Sequence, residues 1–212
     1  MNVDLAESLI ATMPSVSAGL FNPWRQGCEF DSESNGPKQR LTRLAQHLDC
    51  DARVILVGEA PGYQGARYSG VGFTSEKLLM AGAIPRIAAI PDRLTKRSLP
   101  FSEPSSTLIW KALYRLGVAE ETVLWNALQL HPFRPGTPWS NRTPSPAELK
   151  LGSGALKLLR DAYPSALLIA VGRNAEHALA LCDIPYEAGI RHPANGGAND
   201  FARGLENALR NT

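Results

Sequence analysis

Residues 53–62 read RVILVGEAPG. The aliphatic run 54–57 is continuous rather than alternating, and the turn formers Gly58, Pro61 and Gly62 stop it. That is the signature of a short strand buried on both faces of a parallel sheet. The strand is placed at 53–57. Directly after it stands Glu59, a carboxylate in a loop whose other residues are small and backbone-restricting. In open parallel sheets ligands bind beyond the carboxyl ends of the strands, so a charge at this position points to a site.

Working outward, short β-rich runs alternate with helical periods, which reads as a parallel sheet with crossover helices. Further strands are expected at Thr122–Trp125 (TVLW), at Ala166–Val171 (ALLIAV) and, more weakly, at Glu187–Arg191. Ile109, Ala112, Leu113 and Leu116 share one helical face, Ala175, Ala178 and Leu179 another, and Phe201, Leu205 and Leu209 a third. Residues 1–51 read as a helical N-terminal extension packed on the domain, with helices at 2–12 and 37–48 around the turn-rich run GLFNPWRQGCEFDSESNG. The Pro-rich segments 84–104 and 132–146 are long connections, which in a domain are usually functional or mobile. No internal repeat is found.

Composition narrows the class. The 212 residues suit a single domain with a full core, with 44% hydrophobic and 20% charged residues and no biased tract. A formal net charge of +2 argues against a broad grip on a polyanion, not against a narrow one. Cys28, Cys50 and Cys182 are odd in number and form no CxxC, so neither a disulfide framework nor a zinc knuckle is indicated. The N-terminal run MNVDLAESLIATM lacks the basic start of a secretory signal, and no apolar run has the roughly 18 residues of a membrane span. A soluble, cytoplasmic monomer is expected.

The remaining polar residues converge on the strand ends. Glu59 follows the first strand, Asn126 the second, Gly172-Arg173 the third and His192 the fourth. Each has a plain structural reading: a loop-amide acceptor for Glu59, a turn former for Asn126, a satisfied loop imidazole before Pro193 for His192. Phe73 on its own reads as core, and Gly70 and Gly72 beside it allow close approach of something flat. One rim receiving a carboxylate, an amide and an imidazole is harder to explain as structure alone.

VGEAPG followed by GVGFTSEKLL, WNALQLHPFRP with NRTPSPAEL, ALLIAVGRNAEHAL and RHPANGG resembles, in that order, the uracil-DNA glycosylase superfamily, nearest its iron–sulfur-containing fourth family. The resemblance covers about residues 52–210. It implies a three-layer α/β/α sandwich around a short, mainly parallel four-stranded sheet, and an enzyme that excises a flipped uracil from DNA. It further implies that Glu59 orients or activates water and that His192 donates to uracil O2. Phe73 would stack on the base and Asn126 would read its N3–H and O4. Gly58, Gly62 and Tyr63 would complete the base pocket. The loop Asn195, Gly196, Gly197 would enter the duplex, and Arg134, Arg142 and Arg191 are candidate phosphate contacts.

Two departures from that family matter. One cluster-ligand position is Leu130, CxxC is absent, and no metal or other cofactor is expected. The acidic pair after GEAPG is replaced by Tyr63-Gln64-Gly65. No lysine sits in the motifs, so a lyase step through a Schiff base is not expected. Two rivals stay open: a glycosylase for hypoxanthine or xanthine, and a non-catalytic nucleotide- or DNA-binding module on the same fold.

Overall fold

The computed structural model describes residues 1–15 and 18–210. In chain order the elements are α1 (Val3–Ala11), β1 (Leu20–Phe21), α2 (Pro37–His47), β2 (Val54–Gly58), α3 (Ala66–Ser69), α4 (Glu76–Met80) and α5 (Pro104–Arg115). After a 3₁₀ turn at Ala119–Glu121 come β3 (Thr122–Asn126), β4 (His131–Pro132), α6 (Pro146–Lys150), α7 (Ser153–Ala162), β5 (Leu167–Val171), α8 (Arg173–Leu181), β6 (Ala188–Ile190) and α9 (Ala198–Arg210).

The central sheet has the order β3-β2-β5-β6 and every pair is parallel. All five residues of β2, β3 and β5 are buried, as an apolar run without alternation requires. On one face Ile55, Val57, Val123, Trp125, Leu168 and Ala170 pack with Leu9 of α1, Leu44 of α2, Leu156 of α7 and Leu179 of α8. On the other, Val54, Leu56, Leu124, Ile169 and Val171 pack with Ile109 and Leu113 of α5 and Phe201 and Leu205 of α9. This is the three-layer α/β/α sandwich. Among the described residues, no helix is long and apolar enough to cross a membrane.

Helix boundaries follow local chemistry. Asn2 caps α1 by accepting from Leu5 N at 3.3 Å. Pro37, Pro104 and Pro146 occupy the first turns of α2, α5 and α6, where a missing N–H costs nothing. Ser145 and Glu148 form a reciprocal capping box on α6.

Two features lie beyond the sequence reading. Leu20 and Phe21 pair antiparallel with Pro132 and His131, tying the N-terminal segment to the start of the second Pro-rich connection. A buried ion pair, Arg40 Nη1 to Asp31 Oδ1 at 2.7 Å, with a second Arg40 donor to Gln26 O at 2.7 Å, orders the irregular run before α2. The first Pro-rich connection is pinned rather than loose. The buried carboxylate of Glu76 accepts from Leu94 N at 2.8 Å, Thr95 N at 3.2 Å, Thr95 Oγ1 at 3.0 Å and Phe101 N at 2.9 Å, and pairs with Arg93 Nε at 2.7 Å. These bonds hold the Glu76 carboxyl below the usual carboxylate range against the opposing effect of burial.

Candidate active site at the carboxyl edge of the sheet

Sheet register brings the strand ends together. Gly58 lies opposite Asn126, Val57 opposite Ala170, and Val171 opposite Ile190. Glu59, Gly172 and Arg191-His192 follow immediately, so four chain segments open onto one edge. A cleft of about 1000 Å³ lies there. Glu59, Gly62, Phe73, Asn126, Arg142, Arg191, His192 and Asn195 line it, whereas Gly58, Tyr63, Arg134, Gly196 and Gly197 are outside its walls.

Glu59 is half-buried, and its Oε2 accepts from Asn174 Nδ2 at 3.1 Å. Asn174 is in the first turn of α8, so the strand end and the next crossover helix jointly aim the carboxylate. The loop behind Glu59 continues the parallel pairing: Ala127 N donates to Gly58 O at 2.8 Å and Leu128 N to Glu59 O at 2.9 Å.

Asn126 is only 6% exposed, and its side-chain amide has no hydrogen-bond partner among the described residues. Gln129 Nε2 donates to the carbonyls of Asn126 and Ala127 at 2.8 and 2.9 Å and so stiffens the backbone beneath it. A buried amide facing a cleft with its polar atoms unspent is set to hydrogen-bond a ligand.

Phe73 forms an adjoining wall. Its backbone has φ +47°, a left-handed conformation that costs a bulky residue energy, and Trp110 Nε1 holds it there by donating to Phe73 O at 3.0 Å. Gly58 makes room for the ring and for Asn126 at once, since a Cβ on Gly58 would stand 2.9 Å from Asn126 Oδ1 and closer still to Phe73 Cζ. The neighbouring glycines serve a different purpose from the one expected. A Cβ on Gly72 would meet Leu124 O at 2.9 Å, and one on Gly70 would meet the Arg40 backbone at 2.8 Å. They admit protein backbone, not a flat ligand.

The His192 ring centroid lies 6.4 Å from that of Phe73. Its Nδ1 accepts from Ala194 N at 3.2 Å, which leaves the ring proton on Nε2 in the neutral form. Burial, reinforced by the Arg191 charge, pushes the imidazole below its ordinary pKa and favours that form. Asn195 and Gly196 both have positive φ, at +53° and +77°, and form an exposed turn. Gly197 is buried, and a Cβ there would run into His192 O, so the turn must be small.

Two expectations are corrected by placement. The Arg142 guanidinium spends its donors inside the fold, on Glu148 at 2.8 and 2.6 Å, Gly19 O at 3.0 Å and Phe133 O at 3.2 Å. It therefore clamps the β1–β4 region and has little left for phosphate. The Tyr63 ring packs edge-on against Phe101, with centroids 5.6 Å apart, away from the cleft. Its N–H donates to Asn141 Oδ1 at 3.0 Å. Arg134 is exposed and lies outside the cleft walls, a placement that leaves its guanidinium open to a phosphate.

Sequence reasoning missed Asn141, Asn174 and Glu103, all of which line the cleft. The NRTP motif held the signal for Asn141. That residue is fixed by His131, whose Nε2 lies 3.0 Å from Ser140 O and 3.2 Å from Asn141 Oδ1 while Arg67 Nη1 meets its Nδ1 at 2.8 Å.

The residues present do not fit an iron–sulfur cluster. Leu130, at one ligand position of the fourth family, is 1% exposed within the apolar core. Among the described residues no three His, Cys, Asp or Glu side chains gather as a metal site.

The family model of the Uracil DNA glycosylase superfamily matches residues 45–202. Among solved structures, the chain resembles wild-type SMUG2 of Pedobacter heparinus, with 14% identity and a TM-score of 0.63. That match covers 98% of this chain and 99% of the SMUG2 chain, and it shows a shared fold. No curated protein matches the chain. With the family match spanning most of its length and the cleft at the carboxyl edge of its sheet, this chain belongs to the uracil-DNA glycosylase superfamily, a superfamily of DNA glycosylases.

Proposed function

We propose that the protein is a monofunctional glycosylase that takes uracil out of the DNA stack and hydrolyses its bond to deoxyribose. The single observation carrying this reading is the unspent, buried amide of Asn126 facing the same cleft as Glu59, Phe73 and His192.

Each residue has a part in the chemistry. The flipped base stacks on Phe73 while the Asn126 amide offers an acceptor to N3–H and a donor to O4. As the C1′–N1 bond breaks, its electron pair leaves with the base and the sugar acquires oxocarbenium character. The neutral His192 donates from Nε2 to uracil O2, where negative charge gathers, without first having to lose a proton. Glu59 stabilises the cation and orients water through Oε1, because Asn174 occupies Oε2. The water oxygen bonds to C1′, its proton passes through Glu59 to solvent, and the uracil anion takes up a proton. The products are free uracil and an abasic site.

Arg191 and Asn195 at the cleft mouth, with the small turn after His192, are the proposed contacts to the DNA backbone. No lysine lines the cleft among the described residues, which favours water over an amine as the nucleophile.

The test uses single- and double-stranded oligonucleotides carrying uracil, thymine, hypoxanthine or xanthine, with abasic sites scored after alkali. Uracil excision is expected to lead the panel. A faster reaction on hypoxanthine or xanthine moves the assignment to purines, and no cleavage of any base removes the reaction altogether.

A further inference from the structure

The acidic pair expected after GEAPG is missing; Gly62 lines that wall of the cleft, the buried Gly65 lies outside it, and neither has a side chain to fill the space. That space is filled from elsewhere in the chain. Glu103, at the start of α5, lines the same cleft, with Oε1 3.2 Å from where a Gly62 Cβ would stand and Cδ 3.0 Å from a Cβ on Gly65. A side chain at Gly65 would displace this carboxyl, and one at Gly62 would crowd it.

Glu103 has the backbone position of a helix cap, yet its side chain makes no bond to the first N–H groups of α5. Its one partner is Ser106 Oγ, on Oε2; Oε1 has no hydrogen-bond donor among the described residues. The carboxyl is thus turned from the amides it would ordinarily cap toward the cleft. Its approach is rigid, because Glu76 holds Phe101 N at 2.9 Å and the Phe101 ring packs against Tyr63 and Tyr68.

We propose that Glu103 is a specificity-determining residue that contacts the bound base, its carboxyl closing the wall left open by Gly62 and limiting the size of base that fits. The proposal rests on the glycosylase reading above. Burial also holds the carboxyl above its usual pKa, against the lowering effect of the Ser106 hydrogen bond.

Glu103→Ser tests it, because serine caps α5 well while removing the carboxyl from the cleft. Excision of thymine and of hypoxanthine is measured relative to uracil for wild type, Glu103→Ser and Glu103→Gln. The same bases are also presented as uncleavable 2′-fluorinated nucleotides and ranked by Kd. In Glu103→Ser at least one larger base is expected to gain on uracil by about tenfold or more, the scale set by one or two heavy atoms in a pocket. Glu103→Gln, which keeps the volume, should retain the wild-type ranking.

A smaller gain in Glu103→Ser overturns the proposal, as does equal loosening in Glu103→Gln. If wild type cleaves none of the bases, the proposed reaction falls and the Kd ratios judge Glu103 by the same threshold. If it also binds none of them, both fall.

Discussion

Gly58 and Asn126 face each other across the β2–β3 register, and no β-carbon fits between them: one built on Gly58 would stand 2.9 Å from Asn126 Oδ1. The same missing atom admits the Phe73 ring. Gly58→Ala should therefore cost about 1–3 kcal/mol in stability, as overpacking does, and displace the Phe73 ring and the Asn126 amide, the proposed stacking and base-reading groups, together. The check is a urea titration beside a single-turnover uracil assay, with activity falling by far more than the folded fraction.

Asn126 carries the strongest claim about substrate. Cytosine reverses both hydrogen-bond partners that the amide offers to uracil, and a mismatch in a dry pocket is worth several powers of ten. Asn126→Ala should lower uracil excision by on the order of 10²–10³. Asn126→Asp should lower it too and introduce weak cytosine excision, since a protonated carboxyl can face cytosine N3. Unchanged uracil cleavage in both variants means that Asn126 does not read the base.

Glu59 and Asn174 form a unit at 3.1 Å, one at a strand end and the other in the first turn of α8. Glu59→Gln retains shape and loses charge, so the rate should drop steeply while binding of an uncleavable uracil oligonucleotide persists. Asn174→Ala frees the carboxylate without removing it, and a loss of about tenfold in kcat with KM unchanged is the expected signature of lost aim. Near-full activity in Glu59→Gln with a lowered melting temperature in Glu59→Ala would make the residue structural.

For His192, Ala194 N–H holds Nδ1 as an acceptor, and burial with Arg191 places the titration below the ordinary 6.5. The neutral Nε2 donor should persist as the pH falls through that value. The single-turnover rate is expected to stay level down to pH 6.5 and to decline only in more acid solution. His192→Ala should cost on the order of 10²–10³ at neutral pH with native circular dichroism. A titration of the wild-type rate centred at or above the free-imidazole value would contradict the assigned proton state.

Two buried histidines set the acid limit of the fold. Burial, then Arg86, pushes His47 down to about 3, and burial, then Arg67, does the same to His131. In the unfolded chain both take up protons near 6.5, so between that pH and about 3 the unfolded state binds more protons and stability falls with acidification. Each histidine should contribute about 1.4 kcal/mol per pH unit across this window. Between pH 6.5 and 4.5 His192, which burial also lowers, adds in the same sense, while the raised Glu103 carboxyl acts in the opposite one. His47→Gln should therefore remove about 1.4 kcal/mol per pH unit from the slope of urea-unfolding stability against pH in this window.

The sequence by itself determined the sheet and the edge where the site lies. A continuous apolar run such as 54–57 has no polar side to turn outward, and a parallel sheet aligns its strand ends, so Glu59, Asn126 and His192 had to meet. The boundaries of β2 and β5 shifted by one residue and β6 shortened to Ala188–Ile190, since strand ends depend on the partner's reach as well as on composition. Tertiary structure alone decided which charges are spent and which gaps are filled. Arg142 reads from sequence as a free cation, yet Glu148 and the Gly19 carbonyl consume it. Gly62 reads from sequence as part of the base pocket, yet the space beside it is occupied by Glu103 from a helix start distant in the chain. Hydrophobic period is a local property of a sequence, whereas the partner of a charge or the occupant of a glycine's space comes from whichever distant segment packs there, and no local pattern encodes it.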